Sequence, residues 1–157
     1  MKILGIDPGL TRTGVAILSR GKEGSILSWK ILEHKATKKR LWEYFKSLSD
    51  FISAEKPDQI VIENIFRGPN IKTLIKIAEL RGVYLLLSQM QGLPVQEFSP
   101  REIKQSVTGS GASSKEQVKY MVKKILGIEE EIPLDVSDAF GAIICYINKS
   151  QEYAGIN

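Results

Sequence analysis

Cysteine occurs once in the 157 residues, at Cys145, so the chain can form no internal disulfide and no cysteine-based zinc site. Its neighbours Ile143, Ile144, Tyr146 and Ile147 mark it as a core thiol rather than a nucleophile. Histidine also occurs once, as His34 beside Lys35, and reads as a surface residue. No apolar run reaches ~18 residues, so no membrane-spanning helix is expected. No linker, repeat or low-complexity tract divides the chain, and its length suits one domain, 1–157, with a sizeable core. Secretory-leader character is missing as well: Lys2 leads at once into strand and turn, and the expected compartment is the cytoplasm. The segment TGSGASSK at 108–115 lacks the GxxxxGK[ST] spacing of a nucleotide phosphate loop. A strong excess of one charge is absent too. Twenty-two Lys and Arg against 18 Asp and Glu give a net +4, which permits a polyanionic partner without requiring one.

The first fifteen residues, MKILGIDPGLTRTGV, organise the rest. Ile3, Leu4 and Ile6 form the apolar run of a buried strand that ends on a carboxylate, Asp7. Pro8 and Gly9 break it into a turn, and a second strand runs from Thr13 through Leu18. Gly5, Gly9 and Gly14 lack a Cβ, so a bulky anionic ligand is expected to approach closely there. Taken alone, Asp7-Pro8-Gly9 is equally an Asx-type turn. Gly21 and Gly24 bracket a further turn before a third strand, Ser25 to His34, giving three antiparallel strands in series.

The periodicity then changes. Leu41, Tyr44, Phe45, Leu48, Phe51 and Ile52 recur at three- and four-residue steps and predict a helix over Lys39 to Lys56, stopped by Pro57. Gln59 to Glu63 is a fourth strand, again ending in a carboxylate. After the loop NIFRGPN, a long helix spans Ile71 to Gln91, and Val95 to Phe98 is a short fifth strand. Pro100 opens a helix with Ile103 and Val107. Ser113 and Glu116 suggest a capping box for a helix reaching Leu126, and a last helix runs from Val136 to Lys149. Helix-linked strands pair in parallel, so the expectation is an α/β fold: a five-stranded mixed sheet with helices on both faces.

In such a sheet Asp7 and Glu63 emerge at the same carboxyl edge, where open α/β sheets bind ligands. Asp135 and Asp138 lie three residues apart on one face of the last helix. Both also suit a helix N-terminus for ordinary capping and dipole reasons. Four carboxylates with few basic neighbours repel one another unless cations join them. Hard oxygen donors without His or Cys suit Mg²⁺, with Mn²⁺ as a substitute. Two such ions ~3.5–4 Å apart clamp the attacking and leaving oxygens of a phosphodiester, so the chemistry expected is metal-dependent phosphodiester hydrolysis. Lys115, Lys119 and Lys123 form a basic stripe suited to phosphates, or a solvated helix face. The helix 71–91 is apolar around most of its second half, and a second apolar face wants a partner: another helix of this chain or a second copy in a two-fold homodimer.

GIDPGLTRTG, VIENIF and LDVSDAFGAI, in that order, resemble the RuvC family of Holliday-junction resolvases nearly end to end. The resemblance implies a ribonuclease-H-like fold and a homodimeric Mg²⁺-dependent endonuclease that nicks four-way DNA junctions in recombination and repair. It implies an association with the RuvA–RuvB branch-migration complex. By position Asp7, Glu63, Asp135 and Asp138 match the family's acidic metal-binding and catalytic site, although some members carry His where Asp138 stands. Phe66 matches an aromatic that stacks on a junction base, or else a loop residue tucked into the core. Lys104 and Lys115 match basic residues near the active site. Two rivals share part of the pattern. YqgF-like ribonuclease-H-fold proteins, linked to ribosomal RNA processing, share the GIDPG start but not the VIENIF motif or the Asp135/Asp138 pair. A non-catalytic junction-binding protein would have no need of all four acids. The GIDPG turn also resembles the first phosphate loop of actin-like and sugar-kinase ATPases, which need a second domain that this length leaves no room for.

Overall fold

The computed structural model describes residues 1–21, 24–34, 39–65 and 70–154. The chain forms β1 (Lys2–Asp7), β2 (Arg12–Gly21), β3 (Gly24–Glu33), α1 (Arg40–Glu55), β4 (Gln59–Glu63), α2 (Ile71–Met90), β5 (Val95–Phe98), α3 (Pro100–Thr108), α4 (Lys115–Leu126) and α5 (Leu134–Ala154). The strands make one sheet in the order β3-β2-β1-β4-β5. β1 and β3 flank β2 antiparallel, while β4 runs parallel to both β1 and β5. This is the five-stranded mixed sheet that the sequence predicts.

Strand alternation divides the core in two. Leu4, Ile6, Val15, Ile17, Ile60 and Ile62 face α1 and α2, where they meet Tyr44, Leu48, Ile52, Leu80, Tyr84 and Leu87. Ile3, Ala16, Leu18 and Val61 face the other way, onto α5 and its supports α3 and α4. Cys145 lies fully buried in this second layer, the core thiol expected. Residues two apart on a strand share a face, so Ile3, Gly5 and Asp7 point towards α5, and so do Val61 and Glu63.

α5 lies unusually close to the sheet because small residues line its track. A Cβ on Gly5 would sit 2.2 Å from the Ala139 carbonyl oxygen, and one on Gly14 would sit 2.0 Å from that of Asp135. These glycines therefore admit helix backbone, not ligand as expected from sequence. The third, Gly9, is closed off by the Arg12 carbonyl at 2.1 Å from such a Cβ.

Other departures are local. The capping box of α4 is Ser114 with Gln117: Ser114 Oγ accepts from the Gln117 N–H, and Gln117 Oε1 accepts from the Ser114 N–H. Ser113 turns inward instead, its hydroxyl 2.7 Å from Thr108 Oγ1. α5 starts two residues earlier than expected and runs on to Ala154. His34 is half-buried rather than free on the surface: its ring packs edge-on against Tyr44 with centroids 4.5 Å apart, and its Nε2 lies 3.0 Å from Ser47 Oγ. Among the described residues no helix is long and apolar enough to cross a membrane.

Candidate metal centre

The pairing of Ile6 with Ile62 in the parallel β1–β4 ladder brings the two strand ends level. Asp7 and Glu63 follow those residues directly, so their carboxyl groups leave the same edge on the same face. α5 crosses that face and delivers Asp138 from above. One carboxylate oxygen from each of Asp7, Glu63 and Asp138 lies within 4.8 Å of the others.

The electrostatics are those of a site short of positive charge. Burial raises the Asp7 carboxyl well above its ordinary range, and the charges of Glu63 and Asp138 raise it further. Burial, then Asp138, pushes Glu63 up to about 7. The nearest compensation is Lys115 at the start of α4, whose Nζ donates to Asp138 Oδ2 at 2.6 Å. Partial burial works against the Lys115 ammonium, but Asp138, Asp7 and Glu63 together hold its pKa above the usual value. Lys104, on α3, is close enough for its charge to ease Glu63 ionisation. Two ammonium groups, of which only Lys115 bonds to an acid of the group, cannot balance three ionised carboxylates. The donors are all hard oxygens, with neither His nor Cys among them, and this set fits a divalent cation of the Mg²⁺ or Mn²⁺ kind.

The remaining sequence candidates fall differently. Asp135 stands outside the three-acid group: its Oδ2 lies 3.3 Å from Arg12 Nε, and it reaches Asp7 only as a further charge raising that carboxyl. It does not cap α5, being already inside the helix. So Asp138, whose assignment the resemblance leaves least secure, joins Asp7 and Glu63, and Asp135 is peripheral. Lys119 and Lys123 both pair with Glu131, which follows α4, and the pairing lowers the Glu131 pKa. Each lysine of the expected phosphate stripe is thus engaged by an acid. Phe66 lies outside the described residues.

Two contributors escaped the sequence reading. Arg12 opens β2 opposite Glu33 and links Glu33 to Asp135; its position across the hairpin from an acid was the available signal. Thr13, fully buried, sets its hydroxyl 2.9 Å from Tyr84 Oη and 3.4 Å from the Gly9 carbonyl oxygen, tying the turn after Asp7 to α2. A lone tyrosine hydroxyl amid the apolar residues of α2 was the signal there.

A mixed sheet in this strand order, with carboxylates gathered at the end of its central parallel pair, defines a ribonuclease-H-like domain with an acidic centre. The model of the RuvC family, described as crossover junction endodeoxyribonuclease RuvC, matches residues 3–146. The crossover junction endodeoxyribonuclease RuvC of Syntrophomonas wolfei is 38% identical over 156 residues, covering 94% of this chain and 89% of that protein. That of Carboxydothermus hydrogenoformans is 41% identical over 144 residues, covering 88% and 90%. Thermus thermophilus RuvC, solved in complex with Holliday junction substrate, has the same fold: TM-score 0.87 at 24% identity, over 97% of this chain and 96% of that one. The chain belongs to the RuvC family of crossover junction endodeoxyribonucleases.

The Glu63 shift makes a pH signature. Glu63 ionises near an ordinary 4.5 when unfolded and near about 7 when folded, so the folded, metal-free protein holds an extra proton between those values. Stability is therefore full below the lower value and falls as pH rises through the upper one. Urea titrations in EDTA should show wild type losing on the order of 3 kcal/mol across this window relative to Glu63→Gln, which has no charge to bury. Parallel pH profiles for the two proteins would mean that Glu63 is not burdened in this way.

Proposed function

We propose that this chain is a divalent-metal-dependent endonuclease that resolves four-way DNA junctions by paired, symmetric nicks. The observation that carries the proposal is the three-acid group of Asp7, Glu63 and Asp138 on a RuvC-family fold. Junction DNA as substrate is supported by the Thermus thermophilus relative, solved with that substrate. Asp7 and Glu63 hold Mg²⁺, or Mn²⁺ in its place, with Asp138 as their partner and Asp135 as a fourth acid; two ions per site is our reading. Such ions supply an activated water nucleophile and charge stabilisation at the phosphorus. Lys115 and Lys104 offer ammonium groups to the phosphate backbone beside the acids. Phe66 is assigned to base stacking on the family resemblance, and Lys119 to the outer part of the DNA contact.

The protein acts as a two-fold homodimer, since two nicks across a junction need two sites. Support comes from α2. Leu80, Tyr84 and Leu87 are buried against the sheet, while the opposite face leaves Ile71, Ile75, Leu86 and Met90 at least half exposed. Ala78 and Gly82, also exposed, lie between them, so a second helix can come near. The setting we propose is the cytoplasm, beside the RuvA–RuvB branch-migration complex.

Asp7→Asn and Glu63→Gln should each lower junction nicking in Mg²⁺ by a hundredfold or more, on the order of the loss when transition-state charge goes unsupported. Junction affinity by gel shift in EDTA should stay near wild type, because basic side chains on phosphates supply most of it. Cleavage at the wild-type rate by either variant would remove that residue from the site.

Leu86→Asp should sediment as a folded monomer with weakened junction binding. A wild-type protein that is monomeric at micromolar concentration, both free and on junction DNA, would end the dimer proposal.

A further inference from the structure

Arg12 bridges two acids, Glu33 and Asp135. Its Nε lies 3.3 Å from Glu33 Oε1 and 3.3 Å from Asp135 Oδ2. None of the three side chains is enclosed: Arg12 is 47% exposed, Glu33 64% and Asp135 31%. Asp135 shares a face of α5 with Asp138, three residues on, yet only Asp138 joins the group with Asp7 and Glu63. We propose that Arg12 is a positioning residue that keeps Asp135 off the metal centre in the free protein and yields it when a DNA backbone phosphate takes the guanidinium. The proposal rests on the metal-dependent reading above and adds a coupling between DNA arrival and completion of the site.

Three features support it. First, the backbone at Asp135 is fixed, because its carbonyl oxygen occupies the space of the missing Gly14 Cβ. Whatever Asp135 does, it does by turning its side chain. Second, a fourth carboxylate joining the group in the free protein would add repulsion to Asp7, Glu63 and Asp138, whose carboxylate oxygens already lie within 4.8 Å of one another with Lys115 bonded to Asp138 alone. Arg12 gives that fourth acid a partner at the rim. Third, the pair is easily exchanged. Ion pairs this exposed contribute little to stability, whereas a phosphate accepts two parallel hydrogen bonds from one guanidinium. The incoming strand takes a cation from Asp135 at the moment when a bound divalent ion can use the released carboxylate.

The test is Mn²⁺ binding to the DNA-free protein, followed by electron paramagnetic resonance, in wild type, Arg12→Gln, Asp135→Asn and the double variant. Arg12→Gln should bind Mn²⁺ about fivefold more tightly, the low end of site–site coupling, and the gain should vanish when Asp135→Asn is added. Arg12→Lys, which keeps the charge, should bind Mn²⁺ like wild type. No gain in Arg12→Gln would overturn the proposal, and so would a gain that persists with Asp135→Asn, which would reflect only the removal of a positive charge. Linkage is reciprocal, so the improvement in wild-type junction affinity on passing from EDTA to Ca²⁺ should shrink by the same factor in Arg12→Gln. An unchanged improvement would overturn the hand-over to DNA. If wild type binds no Mn²⁺ at all, the metal-dependent reading falls and the proposal falls with it; an affinity indifferent to Arg12 alone overturns only the proposal.

Discussion

The close seating of α5 on the sheet is the constraint from which the site follows. Gly5 and Gly14, on adjacent strands, leave room for the carbonyl oxygens of Ala139 and Asp135. Any larger residue at either position would push the helix outward and draw Asp138 away from Asp7 and Glu63. The same helix is held from outside by α3 and α4, where Gly141 lies against Ile103, Val107 and Val118. Helix packing and metal-site geometry are thus one problem with one solution. A dry, close-packed layer fixes three carboxylates with less freedom than any loop would give them.

That precision has an electrostatic cost. Burial and mutual repulsion push Asp7 and Glu63 upward, and Lys115 relieves them only in part. Residues arranged for folding alone would not concentrate acids at the end of two central strands. The strain is what a centre must carry if it is to attract a doubly charged cation strongly, and perturbed carboxylates of this kind mark functional sites. The Arg12–Asp135 pair at the rim extends the same logic outward, with a charge held in reserve by a partner that a phosphate can displace.

How much of this can be read in the sequence depends on whether a feature is local. The strand 59–63 is legible because an apolar run follows Pro57 and ends on a carboxylate, and 95–98 because Pro94 and Pro100 bracket it. Asp7 and Glu63 are legible because a charge at the end of a buried strand has no packing reason to be there. The relative roles of Asp135 and Asp138 are not legible. Spacing places both on one helix face, and only the register of α5 over β1 and β2 selects Asp138. The glycines of β1 and β2 illustrate the same limit: a missing Cβ announces a close approach without saying whether ligand or helix backbone makes it. The Lys115–Lys123 stripe reads as free charge because its partners, Asp138 and Glu131, come from beyond the helix. His34 reads as a surface residue for the same reason, since Tyr44 and Ser47 reach it from the next element.

We propose the three acids as a divalent-metal centre serving junction cleavage. The most direct measurement gives the purified wild-type protein an end-labelled four-way junction and a linear duplex of the same sequence, each with Mg²⁺ and with EDTA. Paired nicks at symmetric positions are expected on the junction in Mg²⁺, none in EDTA, and little cutting of the duplex. Nicking of junction and duplex at equal rates, or cleavage that survives EDTA, would contradict it.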